Sequence, residues 1–235
     1  MSLDAGIPIE NHMDTFLTKD QSVCLLKTIT VVRPKLLSER IKGPHGILAM
    51  GAPRGGTSTI SYLLDRAGID MGRINHQNYE DNDVQKSIGN RALLNSVLQR
   101  RSKAAGDGRW GCKVPALSFH LQWLDTVLTA PVFVFVFRNP AAVARSILNR
   151  DPVFGSDQHG YLASIDHGMK FYNSFRKLAP RLSAPIIVYE YEEAKRRPEI
   201  FVTEMDCSLG LGLNSEKIQE IAASITAPGY KIKHN

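Results

Sequence analysis

The chain has 235 residues, 43% hydrophobic and 22% charged, the balance of an ordinary globular protein rather than a disordered or fibrous one. Its formal charge of +6 comes from 29 basic and 23 acidic residues with no basic stripe interleaved with aromatics, so a small anionic ligand accounts for it better than nucleic acid. Three widely spaced cysteines, Cys24, Cys112 and Cys207, exclude a disulfide framework or a C-x-x-C zinc site and fit a reducing, cytoplasmic setting.

Residues 1–21 are polar and aperiodic and read as a lead-in, without the basic and apolar regions of a signal peptide. Residues 22–235 read as one domain. Val23–Leu26 and Ile29–Val32 are short apolar runs ended by Pro34, each an edge strand or a packing segment. Ile47–Met50 is an apolar strand, followed by Gly51-Ala-Pro-Arg-Gly-Gly-Thr-Ser-Thr59. Thr57 or Ser58 can cap the next helix, in which Ile60, Leu63, Leu64 and Ala67 share a face and Gly68 is the stop. Gly72–Asp83 reads as a polar loop carrying Asn75, His76, Asn78, Glu80 and Asp81.

Ala92–Leu98 is a helix, Arg109–Lys113 a short buried strand, and Leu117–Leu128 has helical spacing. Val132–Phe137 is apolar on both faces, as a central parallel strand requires, and far shorter than the roughly 20 residues that span a bilayer. Asn139-Pro140 opens a helix with asparagine as cap and proline at the first position. Gly160–Leu178 is helical, with Tyr161, Phe171 and Tyr172 read as packing residues; Trp110 and Trp123 likewise read as core. Ile186–Tyr189 is a strand, Pro198–Leu209 a helix closed by Gly210, and the short tail after residue 213 leaves little chain for a lid.

Strand, glycine-rich turn and helix at Gly51–Ala67 make a phosphate cradle, because glycine lets the backbone approach an anion and the helix N-terminus aims free N–H groups at it. The spacing Gly51-x4-Gly56 matches the start of a nucleotide P-loop, but Thr57 stands where that loop has lysine, and the cation is Arg54 inside the turn. Alternating strands and helices predict an α/β, three-layer P-loop-like fold with a central, mainly parallel sheet of about five strands. Ligands bind beyond the carboxyl ends of such strands, where Arg54, Lys113 and Arg138 all fall. A kinase of this architecture would end the strand at 137 with a magnesium-holding Asp, and here Arg138 follows it.

In these motifs the chain resembles the sulfotransferases that use 3′-phosphoadenosine 5′-phosphosulfate (PAPS). Gly51–Ser58 resembles the family's 5′-phosphosulfate loop, and Arg138-Asn-Pro-Ala-Ala-Val-Ala-Arg-Ser146 its 3′-phosphate motif. Trp110–Pro115 is similar to the family's lysine-bearing strand, and Val188–Leu211 to its late strand and packing helix. The resemblance implies that Arg54, the N–H groups of Gly55, Gly56, Thr57 and Ser58, and the hydroxyls of Thr57, Ser58 and Thr59 hold the 5′-phosphate. It assigns the 3′-phosphate to Arg138 and Ser146, places Lys113 near the sulfuryl group, and implies PAPS as co-substrate, PAP as product and no metal.

The chain departs from the family at Pro115, where cytosolic members carry the base histidine, and it lacks their late basic glycine motif, for which Lys231 and Lys233 are the nearest substitutes. Glu80 is the first candidate base and His76 the second, with Asp81 as an orienting partner. The expected activity is in-line sulfuryl transfer to a small-molecule, glycan or lipid alcohol. Its rivals are a P-loop nucleotide or small-molecule kinase and a catalytically silent PAP-binding relative.

Overall fold

A computed structural model describes residues 22–150 and 157–227 of the chain. The lead-in at 1–21 and the tail residues Lys231 and Lys233 lie outside the described residues. The elements run β1 (Val23–Leu25), β2 (Ile29–Val32), α1 (Pro34–Arg40), β3 (His45–Gly51), α2 (Thr57–Arg66), β4 (Ile74–Asn75), β5 (Glu80–Asp81), α3 (Asn82–Ser87), α4 (Arg91–Ala105) and β6 (Arg109–Lys113). They continue as α5 (Leu121–Val127), β7 (Pro131–Phe137), α6 (Pro140–Leu148), α7 (Gln158–Leu178), β8 (Ile186–Glu190), α8 (Tyr191–Arg196), α9 (Pro198–Leu209) and α10 (Ser215–Thr226). No described helix is long and apolar enough to cross a membrane.

One six-stranded sheet has the order β1-β2-β8-β7-β3-β6, a strand more than the five expected. Both short N-terminal runs are strands: Ile29 and Val31 are buried on one face, and β2 pairs antiparallel with β8 and β1 with β2. The other four strands are parallel. They follow in the chain as β3, β6, β7, β8 but lie as β6-β3-β7-β8, so the winding reverses between β3 and β7. A crevice opens above the carboxyl ends at such a reversal. Gly51 makes the exit from β3 possible, since a Cβ there would lie 2.6 Å from Cγ1 and 2.8 Å from the carbonyl oxygen of Val136 on β7.

Alternation in β7 sorts the two layers. Val132, Val134 and Val136 face a core with Ile60 and Leu63 of α2, Phe201 and Met205 of α9, and Ile221 of α10. Phe133 and Phe135 face the opposite core, where Phe135 stacks on Phe175 of α7 at 3.9 Å between ring centroids. The tail read as short beyond residue 213 is the helix α10, capped by Asn214 and anchored by Ile221, Ala222 and Ile225. The helix predicted to open at a Thr57 or Ser58 cap instead has Gly56 as cap and begins at Thr57.

Glu204 of α9 fastens the sheet's antiparallel edge. Only 5% exposed, it accepts the main-chain N–H groups of Lys27 (2.8 Å) and Thr28 (2.9 Å) and the Thr28 hydroxyl, closing the β1–β2 turn. Replacing Glu204 by alanine leaves three donors without their acceptor and should cost about 3 kcal/mol in urea unfolding. A loss below about 1 kcal/mol would show that the clasp contributes little.

Candidate functional site

The turn between β3 and α2 is wound tightly. The Gly55 N–H donates to the Ala52 carbonyl (2.9 Å), and Arg54 adopts a left-handed conformation (φ 63°) that non-glycine residues hold only when surrounding structure enforces it. Gly56 (φ 95°) lies under the ring of Tyr191, where a Cβ would come within 2.1 Å of a ring carbon. Its carbonyl accepts the hydroxyl of Tyr189 (3.1 Å). The turn therefore presents the N-terminus of α2, with Thr57 and Ser58, to the crevice between β3 and β7.

The strand end of β7 meets this turn directly. Arg138 donates from Nη1 to the Arg54 carbonyl (2.8 Å) and from Nε to Oε1 of Glu192 (3.2 Å), and its guanidinium carbon lies 4.6 Å from the Tyr191 ring centroid. Tyr172 of α7 fixes its main chain, accepting the Arg138 N–H (3.1 Å) and donating to the Arg138 carbonyl (2.8 Å). Asn139 caps α6 through the Ala141 N–H and Pro140 occupies the first helical position, as the sequence predicts. The helix so set carries Ser146 to Arg54, whose Nε donates to the Ser146 hydroxyl (3.2 Å). The two predicted phosphate motifs thus touch.

The polar loop predicted over 72–83 is a hairpin, β4–β5, with Asn75 opposite Glu80. Its turn is held by the Asn75 side chain, which accepts the Gln77 N–H (2.9 Å), and by Tyr79, buried edge-on against Tyr62. The Ser58 and Ser61 hydroxyls of α2 donate to the carbonyls of Asn78 (2.7 Å) and Tyr79 (3.0 Å), fastening the hairpin to the phosphate-loop helix. Lys113, at the end of β6, donates to the Asn78 carbonyl (2.9 Å) and to Oε1 of Glu80 (3.0 Å). Lys113 is only 2% exposed, and burial pulls its pKa down to about 8 against the opposing pull of Glu80.

Asp81 does not orient Glu80. It is fully buried, caps α3 by accepting the Asp83 and Val84 N–H groups, and pairs with Arg101 of α4 at 2.8 Å. Arg101 also donates to the carbonyls of Asp70 and Gly111, so the pair ties the hairpin's base to β6. A buried carboxylate one residue from the cleft is taken by structure, not by chemistry.

Arg54, Gly56, Thr57, Ser58, His76, Glu80, Lys113, Arg138 and Ser146 all line one cleft of about 900 Å³. Gly55 and Thr59 do not: Thr59 is fully buried in the first turn of α2. The cleft also holds Tyr191 and Lys195 of α8 and Arg150 beyond α6, which the sequence reading missed. The signal was present, since α8 starts directly at the carboxyl end of β8 and Arg150 follows Ser146 by one helical turn. Among the described residues, five basic side chains against the single carboxylate of Glu80 make the cleft an electropositive well.

The backbone path has known counterparts. The structure is similar to the sulfotransferase domain of the Synechococcus PCC 7002 olefin synthase, with TM-score 0.55 and 14% identity over 80% of this chain and 79% of that one. The chain shares the sulfotransferase fold. Mouse sulfotransferase SULT7A1, solved with PAP, aligns at TM-score 0.48 and 14% identity over 87% of this chain and 75% of that one. Sulfotransferase STF9 from Mycobacterium avium aligns at TM-score 0.47 and 12% identity over 90% and 80%. No protein-family model and no curated protein matches the sequence. At these identities the likeness is one of backbone path, not of side chains.

Gly56→Ala should lower unfolding stability by about 2 kcal/mol, from a left-handed backbone and a methyl group driven into the Tyr191 ring. Thermal melts of the two proteins test this, and an unchanged midpoint would mean that the turn relaxes freely.

Proposed function

We propose that the protein transfers a sulfuryl group from PAPS to a hydroxyl acceptor. The observation that supports this reading is the joining of Arg54, Ser146 and Arg138 beside one helix N-terminus, so that the groups assigned to the 5′- and 3′-phosphates line a single cleft. ATP has no 3′-phosphate to use the second end, and the strand that would supply a magnesium-binding Asp delivers Arg138 instead. The well of basic side chains suits a ligand as highly charged as PAPS.

In this reading the N–H groups of Gly56, Thr57 and Ser58, with Arg54 and the Thr57 hydroxyl, hold the 5′-phosphosulfate, and Arg138 and Ser146 hold the 3′-phosphate. The acceptor oxygen attacks sulfur, the bond from sulfur to the 5′-phosphate oxygen breaks in line, and PAP leaves. Negative charge grows on that oxygen, and the buried Lys113 ammonium and the Arg54 guanidinium meet it. Glu80 takes the acceptor proton, with His76 beside it at the hairpin tip as the second candidate. Lys113 holds the Glu80 carboxylate at 3.0 Å and so couples the base to the transferring group. The acceptor is a small-molecule, glycan or lipid alcohol.

Calorimetry with PAP, ADP and Mg·ADP tests the donor. Tight, metal-independent binding of PAP over ADP is expected, and equal or magnesium-dependent binding of ADP overturns the reading. Lys113→Ala should lower kcat by roughly 10²–10³ with PAP affinity largely kept. Because burial favours the neutral amine, the ammonium persists below about pH 8 and is lost above it. The sulfuryl-transfer rate should therefore fall as pH rises through about 8, and a rate still climbing at pH 9 would exclude an ammonium role.

A further inference from the structure

Resting on the donor reading above, we propose that Glu192 is a positioning residue for Arg138, setting its guanidinium to read the 3′-phosphate. Arg138 is mounted on three sides. Nε donates to Glu192 Oε1 (3.2 Å), Nη1 donates to the Arg54 carbonyl (2.8 Å), and the Tyr191 ring stands 4.6 Å from the guanidinium carbon. Nη2 makes no hydrogen bond among the described residues, which leaves it to meet the ligand.

The geometry separates positioning from blocking. A carboxylate that competed with phosphate would grip the guanidinium fork with both oxygens and cover Nη2. Glu192 uses one oxygen on Nε, and its Oε2 is buried with no hydrogen-bond partner in the described structure. Tyr191 completes the mount, since its ring also packs over Gly56 of the phosphate loop. An arginine held in this way does not lose its rotamer freedom when the anion arrives, so ordering is removed from the binding step. The effect belongs to the 3′-phosphate and not to the 5′ end.

Calorimetry without magnesium on wild type, Glu192→Ala and Glu192→Gln, with PAP and ADP as probes and melting temperatures as the control, tests this. Glu192→Ala should weaken PAP by about tenfold, the loss of one charge-assisted hydrogen bond, and leave ADP unchanged. Glu192→Gln keeps an oxygen for Nε and should restore most of the PAP affinity. If Glu192→Ala binds PAP as well as or better than wild type, or loses PAP and ADP in parallel, the positioning role is overturned. A wild type without preference for PAP over ADP overturns the donor reading and this inference together. A wild-type preference that survives in Glu192→Ala overturns this inference alone.

Discussion

A single hydrogen bond, from the guanidinium of Arg138 to the carbonyl of Arg54, joins two loops 84 residues apart in sequence. It forms only because β3 and β7 are parallel neighbours that both end at the reversal of winding. The left-handed turn at Arg54 and the Ser146 contact from α6 are consistent with it. The backbone strain at Arg54 has a purpose in this arrangement: the turn offers a carbonyl to one arginine while its own side chain reaches the next helix.

Concentrating like charges in a cleft costs energy before any ligand arrives. The fold offsets this with local partners rather than with a distant acidic patch. Lys113 has Glu80, Arg138 has Glu192 and the Tyr191 ring, and Arg54 has the Ser146 hydroxyl. These partners also hold the cations still, which the proposed transfer would use, since its charge develops on a few oxygens. The Lys113 pKa is depressed because burial outweighs its ion pair with Glu80.

Much of this was legible in the sequence, for identifiable reasons. The strand-turn-helix at Gly51 and the Asn139-Pro140 helix start are local signals, written in adjacent residues and preserved in the fold. Glycine and proline act through the backbone, so tertiary context rarely overrides them. The helix at 215–226 carries a helical period in Ile218, Ile221, Ala222 and Ile225. The role of Asp81 was not legible. Its cap, to the N–H groups of Asp83 and Val84, is local, but its ion pair is with Arg101, 20 residues away, which no local pattern encodes. Glu192 was hidden similarly, as its meaning comes from contact with Arg138.

The hairpin that brings Glu80 to the cleft is fastened through carbonyls, at Asn78 and Tyr79, and through the buried Asp81 at its base. Main-chain bonds are indifferent to the side chains of the residues that make them. The Gln77 side chain, on the cleft wall, takes part in none of these bonds. Under the proposed function, changes there would alter the cleft wall while the groups assigned to the donor stay in place.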